Sequence, residues 1–401
     1  MAHHLLPGKP VTASDWKLKN LVQFVNVMKY CGDDPEQLRL MNENQSIPLG
    51  QLQPSQSAFL ENHEEKLEIL RFIANTSFVQ YEGEEATRID HISIDRFAWA
   101  AIWAAPLETL KKWKATIVNG QPLAFDEMVS KLKSNVPSLI NICKAKDVTN
   151  QTDVNRKPPR KDAPRQTALE RDGYRCSLLG SHDPQVAHIY PHASILSAKR
   201  CISLTRGALM ELWGDEPIRK FMDCMKMNHI DVAQNMISLS CQIHFAMDHF
   251  KIALEPLWAN SNQLVVRVRH LADSSLRPRR GQKINDAFVS LNTDPKEVLR
   301  DLLTPGGEKV ELDARHVQSG QPIRDGHVFS ITTDNPDIRP LPSIDIMRVS
   351  YHMALMIRLA GAAEDDDDDD DDDDPPEEST ATSASQSDVA PFDLDPLWGT
   401  E

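Results

Sequence analysis

Three residues stand in a suggestive order between residues 171 and 256: His188 in QVAHIYPH, Asn235 ahead of MISL, and His244 four residues before Asp248 in HFAMDHF. These types suit hydrolysis of a phosphodiester, which needs an activated water, compensation of charge on the phosphoryl oxygens, and help for the departing oxygen. A neutral imidazole takes a proton from water at ordinary pH, which makes His188 the candidate general base. On a helix His244 and Asp248 would share a face and could chelate one cation. Asn235 could pin a loop backbone and so orient the base rather than react. Two further histidines are secondary candidates: His249, next to Asp248, and His192, four residues from His188 but separated from it by Pro191. Taken singly, each residue has an ordinary structural alternative, since isolated histidines are common and His/Asp pairs at this spacing also serve as plain helix hydrogen bonds. The conjunction carries the reading.

Those groups need a frame. QVAHI reads as a strand and the segment around His244 as a helix. Upstream, apolar residues at helical spacing predict helices over 14–32, 56–76, 93–117 and 124–143, so residues 1–145 are expected to form a helical N-terminal domain. Residues 146–165 are polar, Pro-containing and basic, and are expected to be a linker in which RKPPRK at 156–161 could touch phosphates or be a solvated cluster. The insertion between 193 and 234 contains the helix-prone TRGALMELWGDEPIRKFMDCM; its Arg200, Arg206, Arg219 and Lys220 could touch phosphates, and exposed helix charges explain them equally well. Downstream, LVVRVRH at 264–270 alternates as a strand does, 284–303 is expected to be a helix, VFSIT a short strand, and Ser343 to Leu359 a closing helix.

Composition narrows the classes. The 401 residues carry a net charge of -15, but residues 364–401 hold 17 acidic side chains and no Lys or Arg, leaving 44 basic against 42 acidic elsewhere. A nucleic-acid footprint must therefore be a local basic patch. Six scattered cysteines without a C-x-x-C pair point to a reducing compartment. The start lacks the features of a signal peptide and FAWAAIWAAPL at 97–107 is too short to span a bilayer, so the expected location is cytoplasmic or nuclear, with no membrane. The aspartate run Asp365 to Asp374 repels itself, so residues 362–401 are expected to be a disordered acidic tail. Phe392, Leu394, Leu397 and Trp398 within it could dock on a protein partner, or the tail could simply solubilise.

With its neighbours included, the stretch resembles the HNH endonuclease family, in the branch common among fungal proteins of unknown role. The resemblance rests on Arg171, Asp172 and Cys176, then Ala187, His188, Ile189 and Pro191, then Asn235 and Leu239, then His244 and Asp248, and finally Ile252, Leu254 and Pro256. VFSITTDNP and the closing helix look like that branch too, extending the likeness over most of 166–361. The resemblance implies an α+β, mostly helical chain with a ββα-metal (HNH) core: two antiparallel strands with catalytic His188 on the first, and a helix carrying metal-binding His244. It also implies one divalent ion, Mg, Mn, Ni or Zn, and a nucleic-acid substrate, DNA. The family's better-known members often place a metal-binding carboxylate before the catalytic histidine. Here that residue is Ala187, so the site recruits Asp248 or His249, or binds metal weakly, or is inactive. Leu179 stands where a second cysteine would complete a zinc pair with Cys176, and no structural zinc is expected. Three readings follow: a metal-dependent DNA endonuclease, a degenerate HNH fold acting as an interaction module, and a chaperone-like binder of basic proteins through the tail.

Overall fold

Prolines and caps divide the N-terminal part of the chain. A computed structural model describes residues 57–82, 85–90, 93–144, 162–191, 207, 209–224, 230–276, 288–300, 314–318, 320 and 322–363. The expectations for the opening helix, the basic cluster at 156–161, His192, Arg200, Arg206 and the acidic tail lie outside those residues. Helix α1 (His63–Ala74) buries Leu67, Leu70 and Ile73 on one face. Strands β1 (Ser77–Glu82) and β2 (Glu85–Asp90) form an antiparallel hairpin, and β3 (Ser93–Asp95) follows. Helix α2 (Arg96–Ala104) starts where Asp95 Oδ1 accepts from Phe97 N at 2.9 Å and Ala98 N at 3.0 Å. Every residue of α2 is buried, Arg96 at its start included, as befits a helix whose other residues are all apolar. It stops at Ala105, which Pro106 holds extended; α3 (Leu107–Val118) and α4 (Pro122–Cys143) complete this part.

Two expectations are corrected here. The helix read over 93–117 is a strand and two helices, because Asp95 caps and Pro106 interrupts it. The N-terminal segment is not wholly helical, because SFVQYE and EATRID are rich enough in β-branched and aromatic residues to pair as strands. The described residues are about half helical, a mixed α/β chain rather than a mostly helical one.

Helix α5 (Asp162–Arg171) precedes β4 (Gln185–His188), α6 (Asp215–Cys224), β5 (Met236–Leu239) and α7 (Cys241–Asp248). Strands β6 (Ile252–Ala259) and β7 (Gln263–His270) then pair antiparallel, with β11 (Val328–Thr332) on the far side of β7. Pro256 lacks an amide hydrogen and sits on the edge strand β6, beside a register shift at Pro256/Trp258. The helix expected over 284–303 is replaced in the described residues by β9 (Phe288–Ser290), the short helix α8 (Pro295–Val298) and β10 (Leu299–Arg300). β8 (Asp273–Ser274) pairs with β10, and β9 pairs with β3 from the N-terminal part. The closing helix α9 (Ile344–Leu359) is capped by Ser343 and buries Ile346, Met347, Met353, Ala354 and Ile357 as its spacing predicts. One apolar core joins Leu70, Trp99 and Leu110 to Ile237, Ile243 and Met356, so residues before 145 and after 166 are packed together.

Candidate functional site

Two strands and the helix that follows carry the sequence-predicted residues, His188 and His244 on opposite faces of the strand pair. β4 and β5 pair antiparallel with His188 opposite Met236, Ala187 opposite Ile237, Val186 opposite Ser238 and Gln185 opposite Leu239. Side chains on a strand alternate between faces, so Val186, His188, Met236 and Ser238 share one face and Gln185, Ala187, Ile237 and Leu239 the other. Val186 and Met236 pack with Ala168 of α5, while Ala187, Ile237 and Leu239 join the main core. α7 follows β5 directly, and Ser240 starts it by accepting from Ile243 N at 3.3 Å.

The α5 side is held by a buried ion pair. Arg171 Nε lies 2.7 Å from Asp172 Oδ1, and both side chains are almost completely buried. The guanidinium also donates to Ala233 O, Met236 O and Pro340 O, and Asp172 Oδ2 accepts from Ser238 N at 2.9 Å. Arg171 and Asp172 therefore tie α5 to β5 and to the segment before α9. A buried charge pair persists when its remaining hydrogen-bonding groups are satisfied, as these are. Cys176 is buried, its Sγ accepting from Leu179 N at 3.3 Å, and burial pushes its thiol above the usual range.

Asn235 is fully buried at the end of a 3-10 turn. Its Nδ2 donates to Tyr190 O at 3.0 Å and Ile230 O at 2.8 Å, and its Oδ1 accepts from Tyr190 N at 2.8 Å. Its own carbonyl accepts from Ile189 N at 2.9 Å. One residue, through its side-chain amide and its backbone carbonyl, thus clips the two residues after His188 to the segment entering β5. Ser350 of α9 adds a bond from its Oγ to Ile189 O at 2.6 Å. Phe221 of α6 sets its ring edge-on to Tyr190, with centroids 5.2 Å apart, so the insertion also packs against this loop. Arg219 and Lys220 of α6 are exposed, Lys220 pairing with Glu216 at 3.1 Å.

His188 meets a residue that sequence reasoning missed. Its Nε2 lies 3.1 Å from Asp231 Oδ1, with side chains only 7% and 5% exposed. With Nε2–H donating to that carboxylate, a neutral ring carries its basic lone pair on Nδ1. Asp231 stands four residues before Asn235, in IDVAQN, where an acid among apolar residues is the one sequence cue that a buried partner was required.

The second half of the set lies on α7. His244 Nδ1 is 2.8 Å from Gln185 Oε1 and its Nε2 is 3.3 Å from Asp248 Oδ2. The His244 side chain is 20% exposed and that of Asp248 62%. The structure therefore brings His244 and Asp248 together, with Gln185 of β4 orienting the ring, and brings Asn235 to the loop after His188. The two imidazoles themselves face different carboxylates. Ala187 is buried and adds no oxygen ligand on the α7 side of the strand. His249 caps α7, its Nδ1 2.8 Å from Phe245 O and its ring against the Phe245 ring. Among the described residues, no three His, Cys, Asp or Glu side chains converge as a metal centre. The donors present do fit a two-point clamp. If Nδ1–H donates to Gln185, the Nε2 lone pair and the Asp248 carboxylate can face one cation, leaving its other positions for water or phosphate oxygens.

Two antiparallel strands followed at once by a helix, with His, Asn and His in that order, define a small strand-strand-helix unit inside a larger mixed α/β chain. Residues 176–255 match the family model described as HNH endonuclease, and that stretch is similar to an HNH endonuclease domain. No curated protein and no solved structure gives a match. The domain implies nucleic-acid binding and a nuclease-type function, and nucleases of this family typically use a divalent metal. No helix among the described residues is long and apolar enough to cross a membrane.

Proposed function

We propose that the chain is a metal-dependent endonuclease that hydrolyses phosphodiester bonds in DNA, with β4, β5 and α7 as a ββα-metal core. The observation that carries this is the His188–Asp231 contact at 3.1 Å, beside a loop pinned by Asn235. His188 is the general base: its imidazole accepts a proton from the attacking water, and Asp231 offsets the positive charge the ring gains. Asn235 keeps Ile189 and Tyr190 in place, so the ring does not drift from its line of attack. His244 and Asp248 hold the cation, and Gln185 fixes the His244 ring. A divalent ion bound there would withdraw charge from the scissile phosphate and its leaving oxygen. The N-terminal residues, for which no separate activity is proposed, supply β3 and the helices that share the core. The chain is proposed to work in the cytoplasm or nucleus, with DNA as its main partner.

The test is nicking of supercoiled plasmid with Mg, Mn, Ni or Zn, by wild type and by His188→Ala. The expected result is ion-dependent nicking that is lost with His188. Plasmid left intact by wild type under every ion overturns the reading. The buried Ala187 favours a second reading, a catalytically degenerate module that binds nucleic acid or protein. Cation titration separates them: the nuclease loses cation affinity in His244→Ala, and a degenerate module shows no affinity to lose.

A further inference from the structure

We propose that Phe245, His249 and Lys251 form a stacking platform for an unpaired base of the polynucleotide strand being cut, which makes single-stranded or locally opened nucleic acid the preferred substrate; this rests on the nuclease reading above. Phe245 is 55% exposed, on the helix that buries Ile243 and Ala246 on its other side. Its ring and that of His249 stand 3.9 Å apart at 31°, and Lys251 Nζ lies 5.5 Å from the Phe245 centroid. At 100° per residue, His244, Asp248, Phe245 and His249 occupy neighbouring strips of one helix surface, so the aromatic pair adjoins the proposed clamp.

Each feature suits a base better than an apolar partner. The exposed Phe245 ring stands against an imidazole and an ammonium rather than apolar side chains in its recorded ring contacts. Stacking on His249 holds Phe245 in one orientation, so little rotamer freedom is lost when a base lands on it. Lys251 sits where a flanking phosphate would need a cation. Bases inside a duplex already have both faces covered, so a flat ring beside the scissile phosphate can be used only by a single strand, a frayed end or an extruded base.

The experiment titrates protein into a short single-stranded DNA containing 2-aminopurine, and into the blunt duplex of the same sequence, in EDTA so that nothing is cut. Quenching of the probe and binding tighter for the single strand by roughly fivefold or more are expected. Phe245→Ala and Phe245→Leu should weaken single-strand binding by roughly 5- to 100-fold, with Phe245→Trp retaining it. Lys251→Ala should lower the salt dependence by about one counterion. Because Phe245 is mostly outside the core, thermal melting of these variants serves as the check that they fold. Single-strand binding by Phe245→Ala indistinguishable from wild type overturns the platform, as does duplex bound as tightly as single strand. If wild type quenches the probe yet nicks no plasmid under any ion, the nuclease reading falls and the platform stands. If it nicks plasmid while Phe245→Ala binds like wild type, the platform falls and the nuclease stands.

Discussion

The two faces of β4 are built on different physics. On the α5 side, the side chains of Arg171, Asp172, Asp231 and Asn235 are buried, and their polar atoms are matched to carbonyls, amides, each other or the His188 ring. On the α7 side, Asp248 and Phe245 are mostly exposed and His244 partly so, with contacts of the surface kind. Under the proposed function, the difference assigns position and exchange to separate halves of the unit. A base must be held in one place, which buried hydrogen bonds do well because breaking one in a low-dielectric setting leaves an unsatisfied group. A group that binds a cation and lets a strand pass must stay open to water.

The largest effects should come from the buried half. His188→Ala is expected to lower plasmid nicking by about 10²- to 10⁴-fold, read in initial rates, with circular dichroism confirming the fold. Arg171→Leu leaves the Asp172 carboxylate buried and unpaired and should cost about 3–5 kcal/mol, measured from urea midpoints. An unchanged midpoint would show that the α5 staple is idle. The sharpest contrast is between Asn235→Ala, expected to cost about 2–4 kcal/mol of stability through orphaned backbone groups, and His244→Ala, expected to cost under about 1 kcal/mol and to be felt in cation affinity. Equal losses in the two variants would erase the distinction drawn here. Asp231→Asn should lower kcat by about 10- to 100-fold while leaving KM in place, because the carboxylate acts through the ring it holds.

A separate effect, seen only in acid, lies away from the site. Burial holds the His352 and His327 imidazoles down to about 4, with Trp213 packed on His352 at 5.0 Å. Unfolding frees both rings to titrate near 6.5, so below that pH the unfolded chain takes up protons that the folded chain refuses. Stability is therefore present above pH 6.5 and is lost as pH falls toward 4, by up to about 1.4 kcal/mol per pH unit for each ring. His352→Gln should flatten that limb in pH-resolved urea melts. A limb of unchanged slope would move the acid sensitivity to other groups.

Much of this was legible from residues alone. QVAHI and the His244–Asp248 spacing announced a strand and a helix, because period two and period 3.6 are printed in the order of side chains. LVVRVRH, VFSIT and the closing helix were equally plain. The hairpin at 77–90 was not, since short β-prone runs amid helices give a weak local signal. Asp231 gave only the cue of an acid among apolar residues, because its partner is an imidazole 43 residues away. Ser350 and Gln185 were missed for the same reason, since each acts only on a partner distant in the chain.

The amino-acid order by itself determined which chemical groups are available, which of them fall at strand or helix spacing, and that no carboxylate precedes His188. Only the tertiary structure decided who meets whom: Asp231 against His188, Gln185 against His244, and Asn235 across the loop that follows His188. Local periodicity is set by neighbours along the backbone. Burial and carboxylate pairing are set by segments that become adjacent only when a shared apolar core draws them in.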